Sequence, residues 1–190
     1  MATTNPGKAR EFADLLGGDW EVLTLRDVPE RPEVEECGAT FLENAMLKAL
    51  AFADFEGWVV ADDSGLEVDA LEGAPGVRSA RFAGEPKDDG RNNAKLLAAM
   101  EGVPPERRGA QFRCVLVLAR GGVVRATAEG VVRGMVLEQP RGAGGFGYDP
   151  LFQPVGEARS MAELPREVKN RLSHRGQAVR ALVAAWPRGE

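Results

Sequence analysis

Residues 58–71 read WVVADDSGLEVDAL, and the fold turns on how that stretch is read. Trp58 to Ala61 is an apolar run that suits a buried strand. It meets Asp62-Asp63-Ser64-Gly65, and apolar residues resume at Leu66, Val68 and Leu71. The pattern predicts a strand that stops at Ala61, with both carboxylates just past its end. Adjacent carboxylates repel, and desolvating them is costly without a positive partner. Ligands in open α/β sheets gather beyond the carboxyl ends of strands, and Mg²⁺ is held by one or two carboxylates plus substrate phosphates. The acidic pair Glu35-Glu36 in an earlier loop is a second source of ligand. The same Asp-Ser-Gly equally suits a solvated Asx-turn, and these residues alone leave both readings open.

Outward from that stretch, helical and strand signals alternate, which predicts an α/β or α+β fold without internal repeats. Asn5-Pro6 reads as a cap with proline at the first helical position, followed by the apolar Phe12, Leu15 and Leu16. WEVLTL (20–25) reads as a short strand and 26–38 as loop. Thr40-Phe41-Leu42-Glu43 has capping-box spacing and opens a helix expected to reach about Phe55. Its inward face is Leu42, Ala45, Met46, Ala49, Leu50 and Ala53. A third helix is expected over 92–100. AQFRCVLVLA (110–119) and VVRATAEGVV (123–132) form a hairpin turned by Gly121-Gly122. Residues 139–152 are a glycine-rich loop. The last helix is expected from near Ser173, presenting Ala178, Leu182, Val183 and Trp186.

A chain of 190 residues, 44% hydrophobic and 28% charged, can bury one sizeable core in one domain or two lobes. The formal charge of −5 argues against general nucleic-acid binding, which needs excess basic residues, but leaves room for a small anionic ligand. Cys37 and Cys114 form neither a disulfide framework nor a metal cluster, which fits a reducing cytosol. The start MATTNPGK has no apolar signal core, and no run is long enough to span a membrane.

Four constellations carry candidate chemistry. TTNPGK (3–8) places a loop before a helix start, where unpaired N–H groups and the helix dipole suit an anion. Lys8 opposes that dipole, and a bound phosphate would supply the reason for it. An ordinary capped helix with a surface lysine is the competing reading. The DDSG stretch is the second constellation. GGFGYD (144–149) lets backbone approach a ligand closely and offers two aromatics to a base, or alternatively two core plugs on a hairpin loop. EVKNRLSHRGQA (167–178) gathers Lys169, Ser173, His174 and Arg175. No nucleophile motif accompanies the single histidine, so these donors suit recognition of a polar ligand edge better than base catalysis.

Taken in order, TTNPGK, EECGATFLENAMLKA, ADDSGLEVDALEGAPGVRSARFAG, FGYDPLF and KNRLSHRGQA closely resemble the inosine triphosphate pyrophosphatase family, over almost the whole chain. The resemblance implies hydrolysis of ITP, dITP and XTP to monophosphate and pyrophosphate with Mg²⁺, clearing deaminated purines from the nucleotide pool. It implies a cytoplasmic homodimer and one elongated, two-lobed α/β domain (1–190). That domain has a central twisted mixed sheet, and the active-site cleft lies between the lobes. With the charge and hydropathy readings above, neither a nucleic-acid nor a membrane partner is expected. By position, Thr3, Thr4, Asn5, Pro6, Gly7 and Lys8 would hold the triphosphate. Asp63 would bind Mg²⁺ and help activate water, with Glu35 as second ligand and Glu36 as the fallback. Ser64 would contact substrate. Phe146, Gly147, Tyr148 and Asp149 would pack against base and sugar, and Lys169, His174 and Arg175 would read the purine and anchor the nucleotide. The family has an apolar first strand before this T-x-N-x-x-K motif, whereas here only Met1 and Ala2 precede Thr3, which predicts a late-assigned start or a very short strand. The rival readings are a pyrophosphatase for modified pyrimidines, which Lys169 and SHR disfavour, and a nucleotide-binding regulator without catalysis, which Glu35 and Asp63 disfavour.

Overall fold

The computed structural model describes residues 1–187 apart from 4, 18, 19, 29–31 and 33. The chain is α/β. Helices α1 (Pro6–Leu16) and α2 (Phe41–Leu50) precede strand β1 (Val59–Val68). Helix α3 (Asp89–Ala99), strands β2 (Gly109–Arg120), β3 (Val123–Val136) and β4 (Phe152–Pro154), and helices α4 (Arg166–Leu172) and α5 (His174–Ala184) follow. The sheet order is β1-β2-β3-β4, and β3 meets β4 antiparallel with Gly134 opposite Pro154 and Val136 opposite Phe152.

Two compact units divide the chain. Unit 1 takes 1–63, 114–130 and 174–190; unit 2 takes 64–113 and 131–173. In unit 1, Phe12, Val60, Leu116, Leu118, Ala178, Val179 and Leu182 form the core, with α1 packed on α5. In unit 2, Leu66, Val68, Leu96, Met100, Phe112, Val136, Leu151 and Phe152 form a second core. No helix among the described residues is long and apolar enough to cross a membrane.

The local signals at helix starts act as expected. Asn5 Oδ1 accepts from Gly7 N (2.8 Å) and Lys8 N (3.2 Å). Thr40 and Glu43 close a reciprocal capping box. Other expectations are corrected. The helix after Thr40 ends at Leu50 and gives way to turns instead of reaching Phe55. Its inward face is narrower than its pattern: Ala45 and Ala49 are buried while Leu42 is exposed. Residues 20–25 join no strand, and 25–27 form a turn in which Thr24 and Asp27 bond to each other. The last helix does start where expected, at His174, after a separate short helix that ends at Leu172, but Val183 on it is exposed.

The largest correction concerns the opening stretch. β1 does not stop at Ala61; it runs through Asp62-Asp63-Ser64-Gly65 to Val68. Carboxylates usually disfavour strands, but here each has a cation waiting. Ser64-Gly65 is therefore no tight turn. Gly65 is needed because a Cβ there would stand 2.4 Å from both Gly76 O and Ser79 Oγ. Ser79 Oγ accepts from Leu66 N and donates to Gly76 O (2.6 Å), which locks the 76–81 turn to the strand. Gly65→Ala is expected to cost about 1–3 kcal/mol by overpacking, read as a lower urea midpoint at constant slope. An unchanged midpoint would mean that the turn yields freely.

Candidate active site

Successive residues of a strand point to opposite faces, so the two aspartates of β1 lead separate lives. Asp62 is fully buried among cations. Its Oδ1 receives Lys8 Nζ from α1; its Oδ2 receives Arg175 Nε from α5 (2.9 Å) and the Cys114 thiol from β2 (3.2 Å). Arg175 Nη1 also donates to Glu11, one turn beyond Lys8 on α1. Burial would raise the Asp62 carboxyl, but Lys8 and Arg175 outweigh it and hold it well below the usual carboxylate range. Burial and the Asp62 charge push the Cys114 thiol well up. Lys8 thus opposes the α1 dipole with the Asp62 carboxylate as a compensating charge.

Asp63 faces α2. Lys48 Nζ donates to Asp63 Oδ1 (2.8 Å) and to Glu36 Oε2 (3.1 Å). Asn44 Oδ1 accepts from Gly38 N (2.8 Å), which ties the loop that carries Glu36 to α2. Burial would lower the Lys48 ammonium, yet Asp63 and Glu36 together raise it. Burial raises the Asp63 carboxyl, opposed chiefly by Lys48. Asp63 Oδ2 is buried and has no hydrogen-bond partner among the described residues. One ammonium serving two carboxylates leaves that oxygen as an acceptor in want of a cation or water. No cluster of three or more His, Cys, Asp or Glu suited to a metal occurs among the described residues, but Mg²⁺ does not need one when substrate phosphates complete its shell. The Asp63–Glu36 pair fits such an ion. Glu35 is exposed, so the structure gathers the fallback carboxylate and not the first choice.

The remaining residues of the phosphate-loop expectation lie differently from the simple anion cradle. Thr3 Oγ1 accepts from Asn5 N (3.1 Å), and the Gly7 and Lys8 N–H groups are taken by the Asn5 cap. Pro6 has no N–H to offer. Thr4 lies outside the described residues. An apolar cavity of about 240 Å³ in unit 1, lined by Phe12, Trp20, Trp58 and Trp186 among others, contains none of these site residues.

Unit 2 holds the other group. Ser64 is half-buried on β1. Asp149 Oδ2 accepts from Phe146 N (2.9 Å) and from Lys169 Nζ (2.7 Å), and Lys169 Nζ lies 4.9 Å from the Phe146 ring centroid. That distance suits a cation–π contact. Phe146 is half-buried, whereas Tyr148 is buried and donates its hydroxyl to Ser79 O (2.8 Å). Tyr148 therefore packs in the core of unit 2, the alternative that the loop's aromatics left open. Asp149 is buried and pairs with Lys169. In unit 1, His174 and Arg175 are buried in the first turn of α5, with Arg175 committed to Asp62 and Glu11.

Sequence reasoning missed Lys48 and Cys114. Lys48 had a signal: it follows the inward Ala45 by one helical turn, where a cation needs a partner. Cys114 had none, since a cysteine in an apolar strand reads as core.

A model of the Ham1 family matches residues 1–185. A dITP/XTP pyrophosphatase of Desulforamulus reducens is 54% identical over 185 residues, 96% of this chain and 92% of that protein. Another, from Geobacter sulfurreducens, is 53% identical over 184 residues, again 96% and 92%. The solved Ham1 protein of Staphylococcus aureus superposes with a TM-score of 0.85 at 40% identity, covering 96% of this chain and 94% of that one. A nucleoside-triphosphatase / dITP/XTP pyrophosphatase from Mycobacterium abscessus gives 0.77 at 45% identity, covering 97% and 96%.

Proposed function

The chain belongs to the Ham1 family, and from that premise we propose that it is a nucleoside triphosphate pyrophosphatase for dITP, ITP and XTP. Water adds to the α-phosphorus, the bond to the bridging oxygen toward the β-phosphorus breaks, and pyrophosphate leaves with the nucleoside monophosphate as the other product. The observation that carries the reading is Asp63: a buried carboxylate with one oxygen on Lys48 and the other without a partner among the described residues.

Asp63 and Glu36 would hold Mg²⁺, which when bound supplies positive charge to the reacting phosphate. The residues of the chain do the rest. The Asp63 oxygen that has no partner among the described residues would orient the attacking water and accept its proton. Lys48 brings a full positive charge beside it, where charge builds on the transferring group. Lys8, fixed by Asp62, offers a second cation to the triphosphate. In unit 2, Phe146 would stack on the base while Lys169, steadied by Asp149, donates toward a 6-keto oxygen. A 6-amino purine leaves such a donor unpaired, at about 1–3 kcal/mol. Arg175 would act through Asp62 more than by touching nucleotide. Clearing of deaminated purines, a homodimeric state and a cytoplasmic location belong to the same proposal and rest on the family resemblance.

The test is to incubate dITP, dATP and dUTP separately with the protein and Mg²⁺ and to resolve the products. dITP should yield dIMP and pyrophosphate, with little turnover of the others. Release of orthophosphate in place of pyrophosphate would overturn the reaction, and preference for dUTP would overturn the substrate class.

A further inference from the structure

Phe146 sits in a loop whose conformation is imposed from α3. Asp89 and Asn93 are four residues apart on that helix and therefore share a face. Asp89 Oδ2 accepts from Gly147 N (2.7 Å), and Asn93 Nδ2 donates to Gly147 O (2.9 Å). Both polar groups of one backbone residue are thus held by one helix. Gly147 has φ +61°, a region that glycine enters without strain, so no side chain competes for the grip. Asp89 stands in the first turn of α3, where the helix dipole favours its charge.

Around this clamp the loop is pinned at neighbouring points. Phe146 N is held by Asp149, and the Tyr148 hydroxyl by Ser79 O. Within 146–149, Tyr148 and Asp149 are buried, whereas Phe146 is half-buried with Lys169 beside its ring. We propose that Asp89 and Asn93 are positioning residues for base selection: their grip on Gly147 fixes the Phe146 ring and its register with Lys169. This rests on the functional reading above. Neither residue touches nucleotide; each acts through the backbone of Gly147.

The experiment compares the full-length parent with Asp89→Ala/Asn93→Ala and with the conservative Asp89→Asn, after thermal melts show all three folded. Two readouts are taken. Amide hydrogen exchange across 143–149 reports the clamp without substrate, and it should quicken in the double variant and stay near parental in Asp89→Asn. Steady-state kinetics on dITP and dATP report its use. A ring displaced by about 1 Å can cost up to roughly a hundredfold, and we expect KM for dITP to rise roughly tenfold, with kcat changed less and the dITP/dATP preference reduced. Unchanged exchange would overturn the clamp. Faster exchange with parental KM and preference would overturn its role in selection. A parent inert toward dITP would overturn the functional reading itself and the role in base selection with it, while the exchange result would still decide the clamp. If the double variant fails to fold, Asn93→Ala alone carries the same comparison, since it deletes one of the two bonds and keeps the first-turn charge.

Discussion

Asp63→Asn is expected to lower dITP turnover by roughly 10²–10⁴-fold, the range a positioned proton-transfer group contributes, with the fold intact. The substitution is isosteric and retains an acceptor for Lys48, so the contact at 2.8 Å survives as a neutral–charged hydrogen bond. What disappears is a buried negative charge. Burial opposes that charge in the native protein and raises the carboxyl, so thermal stability should hold or rise slightly. The chemistry loses both its base and a ligand charge. The neighbouring glutamates provide the internal control. Glu36→Gln removes the carboxylate that shares Lys48 and should raise the Mg²⁺ concentration needed for half-maximal rate, whereas Glu35→Gln alters an exposed side chain and should leave it near parental. Parental turnover in Asp63→Asn would remove Asp63 from the mechanism, and an effect of Glu35→Gln larger than that of Glu36→Gln would reverse the ligand assignment.

Helix starts were legible because capping is local: Asn5 and Thr40 act within three residues of themselves. The hairpin of β2 and β3 was legible for the same reason, its turn lying in the chain as Gly121-Gly122. The course of β1 was not. A strand that carries two aspartates is stable only if remote residues supply cations, and Lys8, Lys48 and Arg175 come from three different helices. Sequence spacing cannot report that convergence, so two like charges read as a strand end. The same limit explains Tyr148. A glycine-rich loop with two aromatics looks alike whether a ring faces a ligand or the core, and what anchors Tyr148 in the core is a hydroxyl contact to Ser79 O, distant in the chain. The choice between Glu35 and Glu36 turns on one residue of loop register, and the loop is held by Asn44 at Gly38, a contact that sequence spacing does not show.

Asp62→Ala is expected to destabilise the protein by about 3–5 kcal/mol, the cost of breaking a buried ion pair from one side, a large share of the roughly 5–15 kcal/mol available to a folded domain. Asp62 is the carboxylate that Lys8 and Arg175 share, and its removal leaves two cations without their common counter-charge in a place with little water. Glu11 remains on Arg175, so the loss falls mainly on Lys8 and on the Cys114 thiol, whose acceptor is also gone. A cycle with Arg175→Met tests this origin. If the cost is uncompensated positive charge, removing a cation relieves part of it, and the double variant should lose clearly less than the sum of the singles. Acid gives a second check. The Asp62 carboxyl is depressed in the folded state, so its contribution is fully present above the ordinary aspartate range of about 3.9 and fades as pH falls through the lowered folded value. The gap between parent and Asp62→Ala in urea midpoint should therefore be constant near neutrality and narrow only in strong acid. A gap below about 1 kcal/mol, the level of an exposed surface pair, or strict additivity with Arg175→Met, would mean that the cations are solvated and that Asp62 does not hold α1, β1 and α5 in register.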